Sequence, residues 1–238
     1  MLSYDEIPAA IRVAVNALPQ SLLNRSGSIF YSGKEAFAKP SALYILGLNP
    51  GGLPSLMPTA TIGAYLERFR NLDRPWSEYQ DESWEDAEPG CWGLQPRILH
   101  MLGRLGLDPQ QVPSSNVVFV KTRGERELES EKAALLEACW PVHQAIIESL
   151  NVRVVLCFGG TAGAWTRSQL GADELIDSFS ERNNRGWTSR VHRSASGIEV
   201  VTATHPSRAD WRNQLADPTP LVETALARSL QASTQSVD

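Results

Sequence analysis

The chain has 238 residues, 42% of them hydrophobic and 21% charged, enough for one sizeable core and too ordinary for a disordered or fibrous protein. No apolar run approaches the roughly 18 residues that span a bilayer. The formal net charge of −5 excludes a uniformly cationic nucleic-acid binder, because counterion release needs a positive surface.

Taken in chain order, the pattern begins with an acidic start. Asp5 and Glu6 precede any apolar stretch, unlike the cationic start of a signal peptide, so the chain reads as cytoplasmic and residues 5–18 as a helix. A first strand is expected over Ala42–Leu48 (ALYILGL). Residues 50–90 read as a long irregular insertion, and loops of that length are usually functional. Trp92–Leu105 puts Leu94, Ile98, Leu102 and Leu105 on one helical stripe, and a second strand follows at Asn116–Thr122 (NVVFVKT). Glu131–Leu150 is helical, with Leu135, Cys139, Val142, Ile146 and Leu150 aligned, and leads into a third strand at Val152–Phe158 (VRVVLCF). Thr161–Leu170 forms a helix after Gly159-Gly160, and residues 171–197 read as a second irregular insertion. A fourth strand lies at Ile198–Thr204, a closing helix at Pro218–Leu230, and a frayed polar tail from Gln231 to Asp238. Three strands are nearly continuous apolar runs and the fourth is β-branched, the composition of strands covered on both faces. Alternation with helices predicts one α/β domain over residues 1–238, a three-layer αβα sandwich around four parallel strands.

Charge is segregated along this frame. Residues 77–90 are strongly acidic, whereas residues 182–193 carry Arg182, Arg185, Arg190 and Arg193 with no acid among them, and Arg208 and Arg212 follow. Such segregation suits one basic face on an acidic protein. Trp76, Trp84 and Trp92 interleave with the acids, a mixture that either packs a loop down or holds sugars and amino groups. Cys91, Cys139 and Cys157 lack CxxC spacing, make no complete disulfide framework and fall one thiolate short of the usual iron–sulfur set. No cluster has metal-ligand spacing, and neither metal nor cofactor is expected. Gly159-Gly160-Thr161-Ala162-Gly163 lacks both GxGxxG spacing and a P-loop lysine, which ranks a Rossmann-like nucleotide enzyme low.

Two strand ends carry chemistry. The first strand runs into Gly47-Leu48-Asn49-Pro50-Gly51-Gly52, and the fourth into Thr204-His205-Pro206-Ser207. Ligands of open parallel sheets bind beyond the carboxyl ends of the strands. GLNPG after one apolar strand and HPS after another resembles the uracil-DNA glycosylase superfamily, nearest its mismatch-specific and single-strand-selective branches. The resemblance covers about Leu43 to Trp211 and implies the sheet order 2-1-3-4.

It also implies roles. Asn49 orients a water and a neutral His205 donates to the departing base. Gly47, Leu48, Pro50, Gly51, Gly52 and Thr122 line the base pocket, and the aromatic and acidic composition of the insertion, apart from the resemblance, adds Trp84 and Trp92. Lys121, Arg185, Arg190, Ser207 and Arg208 contact DNA, and Arg208 or Trp211 fills the gap left by a flipped base. Asn49 stands where the fastest family members have Asp. Gly51-Gly52 stands where uracil-selective relatives often have a blocking aromatic, and Lys121-Thr122 where relatives commonly have an Asn that reads uracil. The expectation is a metal-free, monofunctional DNA glycosylase favouring a bulky 5-modified cytosine, such as the glucosylated hydroxymethylcytosine of phage DNA, in anti-phage defence. Repair of uracil or another deaminated base is the alternative, and a non-catalytic DNA-binding module on the same fold is the second.

Overall fold

The computed structural model describes residues 2–55 and 58–235. In chain order the elements are α1 (Ala9–Asn16), α2 (Gln20–Leu23), β1 (Leu43–Gly47), α3 (Ile62–Asn71), α4 (Glu78–Asp81), α5 (Gln95–Arg104), β2 (Ser114–Asn116), α6 (Lys132–Ser149), β3 (Val154–Phe158), α7 (Gly160–Leu170), β4 (Glu174–Ser180), β5 (Thr188–Arg193), β6 (Glu199–Ala203) and α8 (Thr219–Gln235). Every residue of β1 and β3 is buried. Their side chains alternate between two apolar layers. Tyr44, Leu46, Val155 and Cys157 face one that includes Ile11, Val15, Cys139, Val142 and Ile146 of α1 and α6. Ile45, Val154, Leu156 and Phe158 face the other, with Ile98 and Met101 of α5 and Val222 and Ala225 of α8. Helices therefore cover both faces of the sheet, which is why these strands lack polar alternation.

The sheet has six strands in the order β2-β1-β3-β6-β5-β4 and is mixed. β1 pairs in parallel with β2 and β3, and β3 with β6, whereas β5 and β4 add on antiparallel. This corrects the expected sheet of four parallel strands. The added hairpin comes from the segment read as an irregular insertion. An antiparallel edge hairpin needs only one covered face, so its sequence carries arginines and serines where a buried strand has only apolar residues.

Other boundaries move for similar reasons. Residues 50–90 are not irregular throughout, since they contain α3, capped by the Thr61 side chain on the Ala64 amide, and the short α4. The second strand is Ser114–Asn116, which overlaps the expected Asn116–Thr122 at Asn116 alone. Val117–Val120 stay buried because the segment 26–30 lies against them, with Ser28 N–H donating to Phe119 C=O at 3.0 Å. The N-terminal helix is confined to α1 behind Pro8. α8 runs past Leu230 to Gln235, so the tail expected from Gln231 begins in helix, and residues 236–238 lie outside the described residues. Among the described residues no helix is long and apolar enough to cross a membrane.

Parallel pairing brings the carboxyl ends of β2, β1, β3 and β6 to one edge of the sheet, in that order. Asn116, Gly47, Phe158 and Ala203 end those strands, so Asn49 and His205 both emerge at this edge, separated by β3.

Candidate active site

Asn49 is held through its amide nitrogen. Nδ2 donates to Thr122 Oγ1 at 2.8 Å, to Pro50 C=O at 3.0 Å and to Val120 C=O at 3.3 Å. Thr122 in turn donates its own hydroxyl proton to Gly124 C=O at 3.0 Å, so its lone pair faces Asn49. The result fixes the side chain with Oδ1 as the acceptor, and among the described residues no donor engages that oxygen. An oxygen so placed can hold a water in one orientation. Thr122 was expected to face the base. Its hydroxyl is instead spent on Asn49, and the residue is buried.

His205 sits in a tight turn, its carbonyl accepting from the amides of Arg208 (2.8 Å) and Ala209 (3.0 Å). Its Nδ1 accepts from the Ser207 backbone N–H at 3.1 Å and lies 2.8 Å from Ser207 Oγ. A backbone N–H can only donate, so Nδ1 carries the lone pair and a neutral ring keeps its proton on Nε2. Burial, and then the nearby Arg208 cation, push the imidazole below its ordinary pKa. The ring packs edge-on to Phe158, 6.2 Å between centroids, and against Gly159, whose φ of 89° a side chain would resist. Ser207, expected on a phosphate, thus serves first to fix the histidine tautomer.

The end of the second strand corrects one inference from sequence. Asn116 ends β2 directly opposite Gly47, is 5% exposed, and its Nδ2 has no partner. A side chain at Gly47 would overlap Asn116 Oδ1, so glycine there is what admits the amide. An Asn therefore does stand at the end of the second strand. Sequence reasoning missed it because it looked at the far end of VVFVKT, whereas the strand ends where that run begins, in the polar triplet Ser114-Ser115-Asn116.

Beside it lies a second group that sequence reasoning left unassigned. Tyr31 N–H donates to Ser114 C=O and Glu78 N–H to Tyr31 C=O, both at 2.8 Å, which lays the Tyr31 segment beside β2 and Glu78 on the chain beyond that. The Tyr31 phenol lies near the Asn116 amide without completing a hydrogen bond to Nδ2, and it feels the Glu78 carboxylate. Glu78 Oε1 accepts from Trp84 Nε1 at 2.8 Å, while Oε2 is screened from solvent without a partner. Burial, reinforced by Glu82, pushes this carboxyl up to about 7, against the Trp84 hydrogen bond and the charges of Arg68 and Lys121. Trp84, expected in the pocket, thus anchors Glu78. The only signal was an acidic, Trp-rich segment that packs down equally well. Trp92 is 49% exposed in the turn just before α5, its amide donating to the Gln95 side chain.

The residues expected on DNA divide. Trp211 is fully buried, packs 5.4 Å from Phe158 and donates Nε1–H to Thr204 C=O at 3.1 Å, which rules it out as the wedge. Arg185 pairs with the buried Glu181 at 2.9 Å, stacks on Trp187 at 4.7 Å and also bonds the Arg208 carbonyl, so it braces the loop over the His205 turn. Arg193 pairs with Glu199 and Arg212 with Asp210 two residues away. Arg190 and Arg208 remain exposed, with no ion pair among the described residues. Replacing both by alanine is expected to lower the slope of log affinity for DNA against log salt by roughly 2. A filter-binding salt titration with an unchanged slope would remove them from the interface. Gly51 and Gly52 rim the site in open space, where a Cβ would meet nothing within 4 Å. Among the described residues no three His, Cys, Asp or Glu side chains group as a metal site.

No protein-family model matches the chain, and a search of curated proteins also found no match.

Proposed function

We propose that the protein is a monofunctional DNA glycosylase that hydrolyses the N-glycosidic bond of a pyrimidine flipped out of DNA and leaves an abasic site. The observation that carries this reading is the pairing of a fixed Asn49, its Oδ1 open to a water, with a His205 locked in the Nε2–H tautomer. The strands they follow, β1 and β6, lie two strand spacings apart, about 10 Å, on the scale of a deoxynucleoside.

In the reaction the C1′–N1 bond breaks and its electron pair leaves with the base. The base O2 then gains negative charge and His205 Nε2–H donates to it, while the sugar becomes cationic at C1′. The water held by Asn49 Oδ1 adds to C1′ and releases its proton to solvent. Asn49 orients this water and does not deprotonate it, since an amide is no base at neutral pH. A DNA-binding module without catalysis would need neither the histidine tautomer nor the open amide oxygen.

The substrate we favour is a pyrimidine with a bulky 5-substituent, of the kind phage DNA carries as glucosylated hydroxymethylcytosine. Open space at Gly51 and Gly52 supports it. The argument from a missing Asn no longer does, because Asn116 is present. That same amide supports excision of uracil as a second reading, since an amide can pair with both N3–H and O4.

The test is a panel of oligonucleotides carrying uracil, cytosine, 5-hydroxymethylcytosine or its glucosylated form, incubated with protein and cleaved with alkali. Fastest cleavage at the glucosylated base is expected. Faster cleavage at uracil would move the protein to repair, and no cleavage anywhere would end the glycosylase reading.

A further inference from the structure

Two buried polar atoms near Tyr31 lack a hydrogen-bond partner, and they are of opposite kinds. Asn116 Nδ2 is a donor and Glu78 Oε2 an acceptor. They flank Tyr31, whose backbone links β2 to the start of α4 and whose phenol interacts with both side chains. A buried polar atom without a partner destabilises the fold, so two around one ring mark a place where a ligand completes the bonding.

We propose that Glu78 is a specificity-determining residue that accepts a hydrogen bond from the exocyclic N4 amine of a flipped cytosine while Asn116 Nδ2 donates to ring N3, selecting the cytosine edge over the uracil edge. The inference rests on the base-excision reading above.

The chemistry is one of complementary patterns. Cytosine presents a donor at N4 and an acceptor at N3, and uracil presents the reverse, an acceptor at O4 and a donor at N3. An Asn amide serves either edge by turning over, so Asn116 alone does not choose. A carboxylate only accepts, satisfying the cytosine amine and repelling uracil O4. Trp84 holds Oε1, which leaves Oε2 for the base.

Protonation adds a signature that a merely structural glutamate lacks. The charged neighbours are Glu82, Arg68 and Lys121, and the Tyr31, Tyr65 and Tyr79 phenols, all with raised pKa values, stay neutral. With Glu78 titrating at about 7, the accepting carboxylate prevails above neutrality, and below it a protonated carboxyl can donate to O4. Preference for cytosine over uracil should therefore rise with pH.

The experiment uses the full chain and two oligonucleotides alike in their 5-substituent, one with 5-hydroxymethylcytosine and one with 5-hydroxymethyluracil. Single-turnover excision is measured at pH 6 and pH 8, alongside anisotropy binding of non-cleavable 2′-fluoroarabino forms of both. The native protein should prefer the cytosine form, more strongly at pH 8. Glu78→Gln should lower that preference on the order of tenfold and flatten its pH dependence while still excising the uracil form. An unchanged ratio in Glu78→Gln, or a native ratio independent of pH, overturns the proposal. If Glu78→Gln does not fold, Trp84→Phe, which removes the Oε1 donor, should move the midpoint of the native pH dependence upward, and an unmoved midpoint overturns it. If neither base is excised, the glycosylase reading fails. The proposal then stands on tighter, pH-dependent and Glu78-dependent binding of the cytosine form, and equal binding overturns it.

Discussion

Replacing His205 by alanine is expected to lower the single-turnover rate of base excision by about 10²–10³-fold with little change in DNA affinity. The donor matters most when the bond is nearly broken, because only then does O2 carry substantial negative charge, so its loss falls on the chemical step. The tautomer makes the case specific. With Nδ1 occupied by the Ser207 amide, the neutral ring has a single proton to offer, and it lies on Nε2. Burial and Arg208 hold the imidazole below its ordinary pKa, so the neutral form persists as pH falls through the usual histidine range. A pH–rate profile of the Glu78→Gln variant, which removes the Glu78 titration, should accordingly show no loss near the ordinary histidine pKa, and losses begin only below it. Quenched-flow excision at saturating protein separates this from a binding defect, and an alanine variant of native rate would dismiss the histidine from the reaction.

Asn49→Ala should cost about 10²-fold, again in the chemical step, because a water no longer held against C1′ must find its orientation by chance. The anchor predicts a less obvious result for Asn49→Asp. A carboxylate there would face the carbonyls of Pro50 and Val120, which now accept from Nδ2, and would lose its best geometry. The aspartate variant should therefore fall below the native rate, although a carboxylate is intrinsically the better base. A rate above native for Asn49→Asp, measured in the same single-turnover assay, would show that the polar cage does not set the side chain.

Both residues were legible in the sequence because each follows a strongly apolar strand, and the pattern that marks a buried parallel strand also marks where its carboxyl end must lie. Asn116 was not legible. β2 is three residues of Ser and Asn, and the apolar run after it carries the stronger strand signal, although its burial comes from the segment around Ser28. The β4–β5 hairpin escaped for a related reason. With one face open its residues keep polar character, and only the pairing of Arg190–Arg193 with Glu199–Thr202 joins it to the central strands. Glu78 lay beyond sequence reading altogether. Nothing in an acidic segment distinguishes a carboxylate that will be walled in by Tyr31 and Trp84 from neighbours such as Glu85 and Asp86 that stay exposed. The arginine stretch misled in the opposite direction, since Glu181 and Glu199 neutralise two of its charges only in the fold.

The central claim is hydrolysis of a glycosidic bond, and the measurement that meets it head-on is mass-spectrometric detection of free base released from modified DNA, with borohydride added to a parallel reaction. The account predicts intact free base in equal amount to abasic strand, absent with the Asn49→Ala and His205→Ala variants on the same timescale, and no covalent protein–DNA adduct after reduction. Absence of free base from every pyrimidine tested, in single- and double-stranded DNA alike, would contradict it, and a borohydride-trapped adduct that disappears with Lys121→Ala would replace it with lyase chemistry.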